Sequence, residues 1–411
     1  MIKVLDIQYR SNLYRISALS KFSIYFGFRT SRKNYMWKVQ LFKLNYDGQE
    51  SQAVKDVVDG GWITMGEKSL SFEENFSLML GNDVKSTAVC NCTAALHMSL
   101  LALNIKAGDE VIIPALTFVA DINVVRLVGA TPVLADCDSY DNWNMSARSI
   151  RQLITDKTKA VIIVHFAGYP CEMDEIVSLC QEKNIYLIED VAHAPGAKYK
   201  GQSCGTFGDF GCFSFFTNKN LSVGEGGMIV TKDPALQQQA KYLRSHGMTA
   251  LTLDRHKGRA ISYDVVQSGL NYRIDEMRSA LGLVQLEKLP AANAQRKVLV
   301  ERYISKLEGI AGFSLPFLNM KNVEPVYHIF PILLNSDIDR VGLIGKLKEY
   351  GIQTSIHYPT FDTFTAFKDI GLNETPIAQD IAKRELTLPL YPTMSIEEVD
   401  LVVDCLKKAL G

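Results

Sequence analysis

The 411-residue chain contains no uninterrupted apolar run of 18 residues, so a membrane-spanning helix is not expected. Its eight cysteines (Cys90, Cys92, Cys137, Cys171, Cys180, Cys204, Cys212 and Cys405) form no C-x-x-C pair and no finger spacing. Neither a disulfide scaffold nor a zinc module is therefore expected, and no metal site. Most of these cysteines lie in apolar runs such as Gly211–Phe216, where a free thiol behaves as a small hydrophobe. That usage fits a reducing, cytoplasmic setting. Walker, HExxH and GxSxG motifs are absent, which removes the phosphate-loop, zincin and nucleophile-elbow chemistries. Gly205, Gly208 and Gly211 are spaced GxxGxxG and precede a strand, so they do not make a dinucleotide fingerprint. There is no internal repeat and no low-complexity linker.

An excess of one charge is also missing: 44 basic residues meet 45 acidic ones. The balance hides an asymmetry. Residues 1–43 hold nine basic groups and one acid, a net +8, which leaves −9 on the rest. A body of that sign repels a phosphate backbone, so nucleic acid is not an expected partner. An anionic substrate must instead meet a local positive site. Residues 1–37 are Arg- and Ser-rich and lack the apolar segment of a secretory signal. Their composition formally fits an organellar transit peptide, and the simpler reading is an extension lying on the body or a translation start assigned too early.

What is present is the composition of a globular protein, 47% hydrophobic and 22% charged, with length for two or three domains. From residue 84 short β-branched runs alternate with amphipathic stretches. Strands are predicted over 84–90, 110–114, 131–135, 160–165, 185–189, 211–216 and 227–231. Helices are predicted between them over 93–103, 120–128, 147–154 and 172–183. Continuous apolar strands in such alternation imply a largely parallel sheet covered on both faces. Such sheets bind ligands beyond the carboxyl ends of their strands. After residue 233 come long helical patterns over 234–245, 275–289 and 291–307, the last two parted at Pro290. The tail mixes strands (328–334, 353–357) with helices (341–350, 396–410). The expected division is a basic extension over 1–37, a large α/β domain over 38–289 and a small α+β domain over 290–411.

Four segments carry chemistry at predicted strand ends. Asn91, Cys92 and Thr93 open a helix, whose free N–H groups suit a phosphate or which Thr93 simply caps. Glu189 and Asp190 close a buried strand, where an acid can bind a metal, pair with a cationic ring or cap the next element. Ser214 to Lys219 run from a strand into a loop with a single lysine, most simply a solvated charge. Gly224 to Gly227 then allow close backbone approach. In this order, with Phe118 after another strand, they fit one requirement. Pyridoxal phosphate needs a Schiff-base lysine, an acid beside the ring nitrogen, a phosphate cradle and a ring to stack on.

The chain resembles the DegT/DnrJ/StrS-type nucleotide-sugar aminotransferases, within the aspartate aminotransferase fold (fold type I), from about Leu44 to Gly411. The matching segments are Gly61–Gly66, Cys92–His97, Gly108–Pro114, Gly129–Pro132, Glu189–Asp190, Ser214–Lys219 with Gly224–Gly227, Asn271–Glu276, His357–Pro359 and Leu388–Pro392. The resemblance implies roles by position. Lys219 forms the Schiff base and moves the proton, Asp190 pairs with the ring nitrogen, and Phe118 stacks on the ring. His193 sits by the phenolic oxygen, where many relatives have Gln. Cys92, Thr93 and Ser214 hold the phosphate, Cys92 through its backbone N–H. Asn271 reaches the phosphate of the partner subunit in a homodimer, though it reads equally as a helix cap. Trp62, Arg244 and His357 line the substrate mouth, and His328 is structural.

The implied activity is pyridoxal-phosphate-dependent transfer of an amino group from L-glutamate to C4 or C3 of a keto-sugar on a nucleoside diphosphate. Its products are amino sugars for surface polysaccharides such as O-antigen. A cyclitol ketone as acceptor, a sugar dehydratase on the same fold and a non-catalytic scaffold are the alternatives; dehydratases of this type have lost the lysine that Lys219 retains.

Overall fold

The computed structural model describes residues 37–411 apart from 82, 251, 259 and 369, so the extension expected over 1–37 lies outside the described residues save for Trp37. Seven strands form the central sheet: β1 (Lys85–Val89), β2 (Glu110–Pro114), β3 (Thr131–Ala135), β4 (Thr158–Val164), β5 (Tyr186–Asp190), β6 (Phe210–Ser214) and β7 (Gly227–Thr231). Their order across the sheet is β1-β7-β6-β5-β4-β2-β3. Every pair from β6 through β3 is parallel. β7 runs antiparallel to both of its neighbours, so the other six strands point the same way. All seven lie within two residues of their predicted bounds.

Their near-continuous apolar sequences are explained by burial on both faces. Val111, Ile113, Ala160, Ile162 and Ile188 pack into one layer with the helices α3 (Cys92–Ala102) and α4 (Ala120–Leu127). The intervening Ile112, Val161, Ile163 and Leu187 pack into the opposite layer with Met173, Ile176 and Leu179 of α5 (Met173–Lys183). Period-two alternation thus sends successive side chains to different cores, and neither face is left for water.

Two helices ahead of the sheet, α1 (Gly48–Asp59) and α2 (Glu67–Leu80), are fastened by α7 (Glu276–Leu307), which follows α6 (Pro234–Arg244). Gly66 at the start of α2 has no side chain with which to cap it. The Glu276 carboxylate takes that role, accepting from the N–H groups of Gly66, Lys68 and Ser69 at 2.8, 2.8 and 2.9 Å. An acid there satisfies orphan donors and sits at the positive end of the helix dipole.

α7 is continuous through Pro290, so the break expected between 275–289 and 291–307 is absent. The proline costs the helix one hydrogen bond. Leu289 and Ala292, buried on either side of it, hold the two halves in line by packing. The second half of α7 enters a smaller lobe built on an antiparallel sheet of β8 (Phe313–Ser314), β9 (Phe330–Leu334) and β10 (Glu385–Leu388). With it come α8 (Arg340–Glu349), α9 (Pro376–Arg384) and α10 (Ile396–Leu410). Leu299, Tyr303, Ile332, Leu386 and Val402 form its core, joined by Val39. Residues 38 and 39 bond to the Gly351 carbonyl at 2.9 and 3.2 Å. The start of the described chain is therefore shared with the smaller lobe, and a boundary at 289/290 falls inside one helix.

The strand expected over 353–357 is reduced to isolated bridges at Ile352 and Ser355. Helix α9 was not expected. Its first N–H groups, on Ile377 and Ala378, donate to the Asp136 carboxylate just after β3 at 3.0 and 2.7 Å. That contact ties the arm carrying residues 357–376 to the large sheet. No helix among the described residues is long and apolar enough to cross a membrane.

Candidate active site

Because β1, β2, β5 and β6 point the same way, the residues that follow them converge on one edge of the sheet. There Cys92, Thr93, Phe118, Asp190, His193, Ser214, Lys219 and His357 line one cavity of about 340 Å³. Eight of the expected site residues, from five separate elements, are thus brought together.

The start of α3 forms one wall. Asn91, extended at φ −170°, caps the helix, its side chain accepting from the Ala94 N–H at 2.8 Å. Asn91 and not Thr93 is therefore the cap, which leaves Thr93 to face the cavity. Gly227, the first residue of β7, makes the wall possible. A Cβ there would lie 2.5 Å from the Asn91 carbonyl carbon and 2.8 Å from the Cys92 nitrogen. The helix start is thus pressed against the sheet, with its free N–H groups and positive dipole end available to an anion.

Asp190 ends β5. Its Oδ1 accepts from the Ala192 N–H at 2.7 Å and faces the Cys92 thiol at 3.9 Å. Burial raises its pKa, opposed by the Ala192 N–H and by the positive charge of Lys219. Cys92 therefore turns its side chain to Asp190, beyond the backbone role expected of it. Its neighbour Glu189 points to the other face. There Glu189 accepts from the N–H groups of Gly205, Phe207 and Gly208 and lies 3.1 Å from His165 Nε2. Of the two acids at this strand end, Glu189 builds the turn and Asp190 serves the cavity.

Lys219 sits in the turn after β6, its backbone N–H bonded to the Phe216 carbonyl at 2.9 Å. Burial of its amine lowers the pKa to about 8, against the opposing pull of Asp190. A lysine so placed is largely a free amine above about pH 8, well below the range of an exposed lysine, and a nucleophile or base requires that form.

Three histidines surround that amine, all kept well below the usual imidazole pKa by burial, with Lys219 adding to the effect. His193 Nδ1 accepts from the Ala167 N–H at 3.2 Å, so its proton rests on Nε2, which donates to the Tyr358 oxygen at 2.9 Å. His328 is bound the other way round. Asn220 Nδ2 donates to Asn293 and to the Val326 carbonyl at 2.9 and 3.0 Å. Its Oδ1 must then accept from His328 Nδ1 at 3.1 Å. His328 Nε2 is left as an acceptor, 3.5 Å from Lys219 Nζ. His328, expected to be structural, stands against the lysine amine. Nothing in its strand pattern could show this, since the pair is separated by 109 residues. His357 Nδ1 pairs with Thr387 Oγ1 at 2.8 Å, and burial pulls its pKa down to about 3.

Phe118 is 54% exposed at the mouth, with its ring 5.7 Å from that of Tyr358. Tyr358 and Asn218 also line the cavity, and Asn218 Oδ1 is buried without a donor. Neither was singled out in the sequence, although Tyr358 adjoins His357.

Three expected residues are not in the cavity. Arg244 is 1% exposed, paired with Glu73 and donating to the Ala88 carbonyl at 3.0 Å. It is a core clamp between α6, α2 and β1, and has no route to a substrate mouth. Trp62 lies in a separate groove with Glu276, its ring tilted by 42° against that of His256 at 4.7 Å. Asn271 is exposed, its backbone bridged to Ser245.

A Schiff-base-competent lysine, a buried carboxylate and an anion cradle around one cavity are the furniture of an amino-transfer site. Residues 45–407 match the family model of the DegT/DnrJ/EryC1/StrS aminotransferases. The chain belongs to that family. It is 35% identical over 373 residues to GDP-perosamine synthase of Escherichia coli O157:H7, covering 90% of this chain and 98% of that one. It is 37% identical over 370 residues to an uncharacterized protein of Methanocaldococcus jannaschii, covering 88% and 95%. Among solved structures it is similar to a putative sugar aminotransferase from Streptococcus pneumoniae in its PLP form. There the TM-score is 0.83 at 31% identity, covering 89% of this chain and 96% of that one. The Helicobacter pylori aminotransferase PseC, involved in pseudoaminic acid biosynthesis, gives 0.83 at 26% identity, covering 91% and 98%. The protein is thus an aminotransferase of the fold seen in these enzymes, with the mostly parallel sheet expected from the sequence.

Proposed function

We propose that this enzyme uses pyridoxal phosphate to move an amino group from L-glutamate to C4 or C3 of a keto-sugar carried on a nucleoside diphosphate. The observation that carries the reading is the cavity shared by Lys219, Asp190 and the start of α3. The cofactor fits the residues present. The Gly227 notch keeps the α3 N–H groups open to its phosphate, Asn218 offers a buried acceptor without a donor, and Asp190 is an acid for a cationic ring nitrogen. Cys92, Thr93 and Ser214 would hold the phosphate, Phe118 would cover the ring, and His193 Nε2 would donate to the phenolic oxygen. When bound, pyridoxal phosphate supplies the electron sink that lets an amino group exchange for a carbonyl oxygen.

The protein's share is proton handling and exclusion of water. Lys219, neutral just above pH 8, can take a proton from substrate and return it one position away. The surrounding histidines are too buried to hold that proton, so it stays on the lysine between the two transfers. His357 lines the same cavity and would meet the sugar. Asn271, exposed and outside the cavity of its own chain, would complete the partner's site in the homodimer that the family resemblance implies. The reading includes a cytoplasmic location, which the eight free cysteines support, and amino sugars for polysaccharides such as O-antigen as the products.

The reading is tested on the purified protein by visible absorbance. The yellow band of bound cofactor should appear on adding pyridoxal phosphate and bleach on adding glutamate. Lys219→Ala should lose multiple turnover, and retained turnover would overturn the assignment. Nucleotide keto-sugars screened beside cyclitol ketones then identify the acceptor.

A further inference from the structure

Behind the cavity wall lies a second buried acid that the mechanism above does not use. Asp121, on the first turn of α4, is fully buried. Its Oδ2 accepts from the Thr117 hydroxyl at 2.6 Å, whereas Oδ1 has no donor at all. Its carboxyl group lies within hydrogen-bonding reach of the Asp190 carboxyl. Two ionised carboxylates pressed together away from water repel strongly, and one proton shared between them removes the conflict.

We propose that Asp121 is a positioning residue that carries a proton and donates it in a hydrogen bond to Asp190, so that the pair holds one negative charge, on Asp190. The neighbours decide which partner keeps the proton. Asp190 already accepts from the Ala192 N–H at 2.7 Å, is faced by the Cys92 thiol at 3.9 Å and feels the positive charge of Lys219. Asp121 has a single donor, Thr117, and the ionisable groups that feel its charge are Asp190, the thiols of Cys92 and Cys212 and the Tyr358 phenol, none of them a cation. Burial and the Asp190 charge accordingly push its pKa well above the ordinary carboxylate range. A protonated Asp121 also resolves the unpartnered oxygen: Oδ2 stays the acceptor for Thr117, and Oδ1 becomes the donor.

The consequence is that Asp190 is held as an anion, in a fixed orientation, before any cofactor arrives. The effect on affinity rests on the reading of this cavity as a pyridoxal phosphate site, whereas the proton itself does not. Two measurements separate them. The infrared spectrum of the protein without added cofactor, at about pH 7–8, should contain a carboxylic-acid carbonyl band that disappears in Asp121→Asn. In the binding assay Asp121→Asn, which keeps a neutral donor, should bind pyridoxal phosphate within a few-fold of the parent. Asp121→Ala should bind it roughly ten- to a hundredfold more weakly, the worth of one hydrogen bond to a charged group. A spectrum in which Asp121→Asn removes no acid band overturns the proposal, as does undiminished affinity in Asp121→Ala. If Asp121→Ala fails to fold, the infrared comparison decides. If the parent protein binds no pyridoxal phosphate, the proposed function falls, and the acid band still decides the proton.

Discussion

Lys219 shows how far one side chain's chemistry depends on its surroundings. On the surface its amine would titrate near 10.5, but enclosed by the cavity it titrates at about 8. Burial penalises the charged form, so the deprotonated amine dominates above that value. The rate at which cofactor-free protein takes up pyridoxal phosphate should therefore rise with pH through about 8 and level off above it. A rate still climbing towards pH 10.5 would show that the lysine is exposed to solvent in solution. The lysine and Asp190 are legible in the sequence through the matching segments that carry them, each at the end of a recognisable buried strand. His328 and Asp121 are not legible, since each acquires its meaning from a side chain far along the chain. Arg244 is the converse case: a basic residue expected at the substrate mouth is consumed by Glu73, 171 positions away.

Among the elements, the junction of α3 with β7 carries the most weight. The helix start is useful to an anion because Asn91 caps it and because Gly227 lets it approach the sheet. Gly227→Ala would force a methyl group to within 2.5 Å of the Asn91 backbone. The expected cost is about 1–3 kcal/mol from overpacking, together with weaker cofactor binding as the wall is displaced. Thermal denaturation and titration with pyridoxal phosphate check both effects; an unchanged melting temperature would mean that the junction is looser than described. The Gly224–Gly227 cluster announced close approach in the sequence, but its partner did not. Pro290 misled for a related reason. Locally a proline predicts a break, and only the packing of Leu289 and Ala292 across it shows why the helix runs on.

For the whole molecule, the open matter is how many chains make a site. Asn271 is exposed and outside the cavity of its own chain, and the proposed homodimer gives it a role in the partner's. Mixing the Lys219→Ala and Asn271→Ala proteins under exchange conditions should then restore activity, assayed at limiting cofactor. Hybrid dimers would combine an intact Lys219 from one chain with an intact Asn271 from the other. No gain on mixing would show that Asn271 acts within its own chain or not at all.

By itself the sequence determined the seven strands, their parallel packing and the cluster of residues at their carboxyl ends. These are written in continuous apolar runs that alternate with amphipathic stretches, in helix starts and in short segments that match a family. Tertiary structure decided the rest: that Asp190 and not Glu189 enters the cavity, that His328 meets Lys219 and that Asp121 backs Asp190. It also placed Val39 in the smaller lobe and withdrew Arg244 into the core. The physical reason is common to all of these. Burial, proton placement and tautomer are set by whichever groups lie within a few ångströms, and in a wound α/β fold those groups come from elements scores of residues apart.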